Sequence, residues 1–122
     1  MGKKKILVFD DDININSFVC EALNRAGFET LDAYDGYHCL ELLTDYKPDL
    51  IILDINMPGP SGLEICERIS KFSNVPIFFL SSQKDKKTLN KVFTSNAIFY
   101  LNKPLKVAEL LKKIEIIFSD QL

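Results

Sequence analysis

The sequence lacks the patterns that mark membrane-spanning and secreted proteins. No apolar run approaches the roughly 18 residues that span a bilayer. Only four apolar residues, Ile6 to Phe9, separate the basic start from the first acids, whereas a secretory signal has about 7–15. Gly2 is the residue that an N-myristoylation signal requires, but Ile6 occupies the position where that signal has Ser or Thr. We therefore predict a cytoplasmic protein with no membrane contact.

Cysteine and histidine are also scarce. Cys20, Cys39 and Cys66 are scattered without a C-x-x-C pair, and the chain has one histidine. This pattern argues against both a disulfide framework and a zinc centre. The three cysteines are predicted to be small buried hydrophobic residues.

An excess of positive charge is absent too. The net charge is −2, so we expect no direct binding to nucleic acid. The charge is uneven, since residues 1–61 hold 11 acids and 5 Lys/Arg, and residues 62–122 hold 6 acids and 10 Lys/Arg. Lys84, Lys86, Lys87 and Lys91 cluster in one segment. That segment is either a solvated helix face or a docking surface for an acidic partner.

Short apolar runs alternate with amphipathic patterns along the whole chain. Five runs are predicted to be strands, at residues 6–9, 28–33, 50–53, 75–80 and 98–101. Apolar residues at helical spacing follow each run, and the fourth of these patterns is the lysine-rich segment. The alternation predicts one α/β domain over residues 1–122, a parallel sheet with helices on both faces. Phe72, Phe78, Phe79 and Phe118 are predicted to lie in its core.

Polar residues follow the predicted strands where each strand ends. In an open parallel sheet, ligands bind outside the carboxyl ends of the strands. The residues at those ends are Asp10, Asp11 and Asp12 after the first strand, Asp54 after the third, Ser81 and Ser82 after the fourth, and Asn102 and Lys103 after the fifth. We expect them to share one site.

The charges of that set indicate its chemistry. Carboxylates a few ångströms apart repel unless a cation lies between them, and clustered hard oxygens suit Mg²⁺. Lys103 adds a second positive charge and Ser81 a hydroxyl donor. A metal ion, an ammonium group and a hydroxyl directed at one carboxylate are what phosphoryl transfer requires.

Four stretches resemble the response-regulator receiver family of two-component signalling. They are Ile-Leu-Val-Phe-Asp-Asp-Asp, Asp-Leu-Ile-Ile-Leu-Asp-Ile-Asn-Met-Pro-Gly-Pro-Ser-Gly-Leu-Glu, Val-Pro-Ile-Phe-Phe-Leu-Ser-Ser and Tyr-Leu-Asn-Lys-Pro. The resemblance covers the whole chain. It implies a flavodoxin-like doubly wound (βα)5 three-layer sandwich, with a five-stranded parallel sheet of order 2-1-3-4-5. It also implies a phosphoacceptor switch, not an enzyme with a separate substrate.

The resemblance assigns roles to individual residues. Asp54 matches the phosphoacceptor, and Lys103 matches the lysine that pairs with the phosphoryl group. The metal ligands would be Asp10, Asp11, Asp54 and the carbonyl of Asn56, holding Mg²⁺, with Mn²⁺ expected to substitute. Ser81 and Tyr100 match the switch residues, and Asn56 and Gln83 stand where the family tunes hydrolysis of the acyl phosphate.

The family also implies partners and one unusual peptide bond. A sensor histidine kinase or a histidine phosphotransfer protein would supply the phosphoryl group. An output partner would bind the face formed by the predicted fourth helix, fifth strand and fifth helix, with the protein a monomer or a phosphorylation-dependent dimer. Lys103-Pro104 often carries a cis peptide in the family.

Two features depart from the family pattern. Asn96-Ala-Ile-Phe replaces a common Gly-Ala-Asp-Asp before Tyr100, which alters the output face. Ser61 stands where an aspartate is common, and we expect little effect.

Three alternatives stay open at this point. A haloacid-dehalogenase-like phosphatase would use Asp10-Asp-Asp12, but no acidic pair follows the lysine and Asp54 would have no role. A flavodoxin-like electron carrier would need a Gly-rich or Ser/Thr-rich phosphate loop after the first strand, where the chain has three aspartates. The chain is either a stand-alone receiver or a fragment of a larger regulator.

Overall fold

The computed structural model describes residues 2–57, 59–81 and 97–119. Five parallel strands form one sheet: β1 (Lys5–Phe9), β2 (Glu29–Ala33), β3 (Leu50–Asp54), β4 (Ile77–Ser81) and β5 (Ala97–Asn102). The sheet order is β2-β1-β3-β4-β5. This confirms the expected flavodoxin-like fold and strand order.

Four helices lie within the described ranges: α1 (Ile13–Arg25), α2 (Cys39–Tyr46), α3 (Gly62–Ser70) and α4 (Val107–Ser119). The helix predicted fourth from the sequence falls in residues 82–96, outside the described ranges, so α4 is the helix after β5. Gly27, with φ 98°, follows the end of α1, and Lys47, with φ 54°, follows the end of α2. No helix in the described part of the chain is long and apolar enough to cross a membrane.

Alternate residues of the strands build two cores, one on each face of the sheet. Leu7, Phe9, Ile51 and Leu53 belong to the core under α2 and α3. Ile6, Val8, Leu50 and Ile52 belong to the core under α1 and α4. Successive side chains of a strand point to opposite faces, so a strand covered on both faces is apolar throughout. This explains why each run reads as continuous apolar sequence.

Most core predictions hold, and one is wrong. Phe78 and Phe79 are buried, and Phe118 packs against the core under α4. Phe72 is 72% exposed. Helix α3 ends at Ser70, and the Phe72 amide bonds to the carbonyl of Ile69 in the turn that follows, so Phe72 lies beyond the helix face that packs on the sheet.

The cysteines follow the prediction in part. Cys39 and Cys66 are buried, while Cys20 is half-buried on α1. All three are free thiols.

Candidate functional site

The carboxyl edge of the sheet brings the predicted site residues together. Asp10 directly follows β1, while Asp54 and Ser81 are the last residues of β3 and β4. Lys103 directly follows β5, and its amide donates to the Ser81 carbonyl at 2.7 Å. The Asp10 amide donates to the Ala33 carbonyl at 3.0 Å, which joins the loop that follows β1 to the end of β2. Backbone hydrogen bonds between neighbouring strands therefore fix the backbone positions from which these side chains project.

Three carboxylates converge at this edge. One oxygen from each of Asp10, Asp11 and Asp54 lies within 4.8 Å of the others. Asp10 and Asp54 are 0% and 4% exposed, while Asp11 is exposed. Burial of Asp10 and Asp54 removes the water that would otherwise separate these two negative charges, so their repulsion is strong.

The two carboxylate oxygens of Asp10 differ in their hydrogen bonding to the described residues. Asp10 Oδ1 accepts from the Asp12 amide at 3.0 Å. Asp10 Oδ2 is buried and accepts no well-aligned hydrogen bond from the described residues, and the Lys103 Nζ lies 3.3 Å away. Lys103 supplies one positive charge to this oxygen, which does not balance the three clustered carboxylates. The donor set therefore fits a hard divalent ion such as Mg²⁺.

Lys103 is the positive side chain of the cluster. Its Nζ lies 3.2 Å from Asp54 Oδ2, to which it donates a hydrogen bond, and 3.3 Å from Asp10 Oδ2. Burial acts to lower the pKa of Lys103, but the charges of Asp54 and Asp10 raise it more, so the net direction is upward. The ammonium group stays charged at neutral pH.

Asp54 has a perturbed pKa. Burial raises it, Lys103 opposes that rise, and Asp10 adds to it, so the pKa of Asp54 is about 6. The Asn56 amide donates to Asp54 Oδ1 at 3.2 Å, and the Asn56 side chain is exposed. A carboxylate that is ionised at neutral pH yet poorly stabilised is suited to act as a nucleophile.

Ser81 and Asn102 form a hydrogen-bonded pair next to the carboxylates. Ser81 is fully buried, and its Oγ donates to Asn102 Oδ1 at 3.1 Å. Tyr100 lies two residues before Asn102 on β5 and is 40% exposed. The Lys103-Pro104 peptide bond is cis, as expected.

Two predicted features lie outside the described residues. They are Gln83 and the lysine-rich segment with Lys84, Lys86, Lys87 and Lys91. Their roles stay predictions.

Three residues hold the site in place in ways that were not predicted from the sequence. Asn16 is buried in α1 and contacts the backbone at the ends of β1 and β2. Asp12 caps α1 by accepting from the amides of residues 14 and 15. A Cβ added to Gly62 would lie 2.4 Å from the Asp54 carbonyl oxygen, so only glycine lets α3 begin this close to β3.

A sequence signal for Asn16 does exist. Asn16, Val19 and Leu23 share the buried face of α1 at helical spacing. A polar residue on such an apolar stripe must find a buried hydrogen-bond partner.

Comparison with known proteins gives consistent matches. The family model described as "Response regulator receiver domain" matches residues 6–115. The chain is 43% identical over 106 residues to the uncharacterized transcriptional regulatory protein YrkP of Bacillus subtilis, covering 87% of this chain and 46% of that protein. The chain spans about half the length of the curated relatives it matches, such as YrkP at 46% and the transcriptional regulatory protein CrdR of Helicobacter pylori at 56%.

Solved structures agree with the sequence matches. The receiver domain of the Francisella response regulator 1452 superposes with a TM-score of 0.88 at 28% identity, covering 98% of this chain and all of that one. The chemotaxis response regulator CheY4 of Vibrio cholerae gives a TM-score of 0.85 at 30% identity, covering 94% of this chain and 98% of that one.

Proposed function

Since the chain belongs to the response regulator receiver family, we propose that it accepts a phosphoryl group on Asp54. The donor would be a phosphohistidine of a sensor histidine kinase or a histidine phosphotransfer protein. The observation that carries the proposal is the position of the Lys103 ammonium group, 3.2 Å from Asp54 and 3.3 Å from Asp10. Family membership also favours this function over the phosphatase and electron-carrier alternatives.

The acids and one carbonyl would hold the metal ion. The proposed ligands are carboxylate oxygens of Asp10, Asp11 and Asp54 and the backbone carbonyl of Asn56. Mn²⁺ should replace Mg²⁺, since both accept hard oxygen ligands. When bound, the ion supplies positive charge to the phosphoryl oxygens.

Asp54 would act as the nucleophile of the transfer. One of its carboxylate oxygens attacks the phosphorus atom, the bond from phosphorus to the histidine nitrogen breaks, and the nitrogen keeps the electron pair. The product is an acyl phosphate on Asp54 and a free imidazole on the donor. Lys103 is placed to neutralise an oxygen of the transferred group, so catalysis rests mainly on positioning and charge.

Ser81 and Tyr100 would carry the signal away from the site. The Ser81 hydroxyl is bonded to Asn102, so it must leave that acceptor to donate to a phosphoryl oxygen. Tyr100 would then move inward, which shifts the population between two packings of the output face. That face comprises β5, α4 and the helix predicted in residues 82–96.

Further parts of the proposal concern the lifetime of the acyl phosphate, the extent of the domain and the oligomeric state. Asn56 and Gln83 would set the lifetime of the acyl phosphate by orienting water. We propose that residues 1–122 form one receiver domain that binds protein partners and not nucleic acid. It would be a monomer or a phosphorylation-dependent dimer.

Phosphorylation by a small donor tests the proposed acceptor. Wild-type protein incubated with acetyl phosphate and Mg²⁺ should gain one phosphoryl group by intact-mass spectrometry, and Asp54→Asn should gain none. Asp45→Asn, which removes an exposed carboxylate on α2, is the matched control and should be labelled like wild type. Equal labelling of Asp54→Asn and wild type would refute Asp54 as the acceptor.

A further inference from the structure

Asn16 makes an unusual set of contacts for a residue inside a helix. It is 0% exposed. Its Nδ2 lies 3.3 Å from the Val8 carbonyl, 3.1 Å from the Asp10 carbonyl and 3.0 Å from the Ala33 carbonyl. Its Oδ1 accepts from Cys20 Sγ at 3.3 Å. The Asn16 side chain therefore joins the backbone at the carboxyl end of β1 to the backbone at the carboxyl end of β2.

Together with two other hydrogen bonds, these contacts hold the backbone and one carboxylate oxygen of Asp10 in place. Its amide donates to Ala33, its carbonyl accepts from Asn16, and its Oδ1 accepts from the Asp12 amide. Asp10 Oδ2 alone is left to face Lys103 and the other acids. Hydrogen bonds to the amide, the carbonyl and Oδ1 therefore hold the Asp10 carboxylate toward the cluster.

We infer that Asn16 is a positioning residue for the cation-binding acids, acting through the backbone of Asp10. The inference rests on the proposed function, since it concerns the metal that Asp10 and Asp11 would hold. Mg²⁺ demands near-ideal octahedral geometry. Residues that hydrogen-bond to metal ligands and orient them therefore change the affinity for the metal ion without contacting it. Without the amide, the buried Asp10 carbonyl would lose a donor and the loop of residues 10–12 would relax.

The test compares Asn16→Ala with Val19→Ala. Val19 lies three residues further along the same buried face of α1 and is 1% exposed, so its truncation destabilises the same helix without touching the Asp10 carbonyl. Titration with MgCl₂ alone, followed by calorimetry on folded protein, should show about 10-fold weaker binding for Asn16→Ala. Val19→Ala should bind as wild type does. Asn16→Ser, which keeps a shorter donor, should give a smaller loss and covers the case that Asn16→Ala fails to fold.

A second readout needs no metal. Amide hydrogen exchange at residues 10–12 of the metal-free protein should be faster in the Asn16 variants than in Val19→Ala, relative to the rest of β1. A wild-type protein that binds no Mg²⁺ would sink the proposed function, while the exchange comparison would still decide the role of Asn16. Unchanged Mg²⁺ affinity together with unchanged exchange in the Asn16 variants would overturn the inference.

Discussion

Replacing Asp54 with Asn should stabilise the metal-free protein at neutral pH. The Asp54 carboxyl has a pKa of about 6 in the folded protein against an ordinary value of 3.8. The folded state therefore holds the proton more tightly than the unfolded state does. By linkage, stability falls as the pH rises from about 4 to about 6, and the loss is complete above that range.

The size of the effect follows from the two pKa values. Their difference corresponds to about 3 kcal/mol, and little solvent screening applies because the Asp54 side chain is only 6% exposed. Asn has nearly the same shape, carries no charge, and still offers Lys103 an acceptor. We therefore expect Asp54→Asn to exceed wild type by about 1–3 kcal/mol at pH 7.5, with the difference shrinking toward zero near pH 4.

Urea unfolding in EDTA, followed by circular dichroism between pH 4 and 8, measures this difference. Subtracting the two curves cancels the titration of groups remote from Asp54 and leaves that of Asp54 together with its neighbours Asp10 and Lys103. Asp45→Asn controls for the loss of one negative charge. Saturating Mg²⁺ should then stabilise wild type more than Asp54→Asn. A variant that is less stable than wild type at pH 7.5, or a difference that does not change with pH, would refute the reasoning.

Three further substitutions test other parts of the structure. Lys103→Met should slow labelling by acetyl phosphate by about 100-fold or more, because it removes the ammonium group beside Asp54. Lys106→Met removes an exposed lysine and is the control, so it should be labelled at the wild-type rate. Equal labelling rates for Lys103→Met and wild type would contradict the role assigned to Lys103. Gly62→Ala should lower the unfolding free energy by about 1–3 kcal/mol, since the added Cβ meets backbone that does not move easily. Gly2→Ala, in open space, should have no effect on urea unfolding, and a neutral Gly62→Ala would show that α3 shifts freely. Tyr46→Phe should raise the free energy of unfolding by up to about 1–2 kcal/mol, because the buried Tyr46 hydroxyl makes no well-aligned hydrogen bond to a described residue. A lower free energy of unfolding in urea would show instead that the interaction of the hydroxyl with Glu29 stabilises the fold.

The strands were predictable because burial on both faces leaves a strong signal. Residues 50–53 are apolar without interruption, and each is fully buried in β3. The edge strand β2 is mostly half-buried or exposed, so its sequence is mixed and its signal was weaker. The prediction for Phe72 is wrong because an aromatic side chain alone does not show that α3 stops at Ser70 and leaves Phe72 outside the core.

The chemistry-bearing residues were predictable for a topological reason. Parallel strands end at one edge, so acids and a lysine that follow separate strands must meet there. The contacts that orient them depend on three-dimensional detail instead. The Ser81 bond to Asn102 and the Asn16 bond to Asp10 join residues whose spacing in the sequence carries no pattern.

The charge balance of the site explains why one cluster would serve both binding and switching. Among the described residues, the three clustered carboxylates are accompanied by one ammonium group, that of Lys103, which leaves a deficit of two positive charges that a divalent cation would remove. A phosphoryl group on Asp54 would then add about −1.5 to −2 charge, by analogy with other phosphorylated side chains. Lys103 already faces two carboxylates, so the new oxygens need a further donor. Ser81 carries a hydroxyl at the end of the neighbouring strand β4, and its present acceptor, Asn102, is neutral. A neutral acceptor competes poorly with an anionic one, so phosphorylation would favour moving the hydroxyl from β5 toward Asp54.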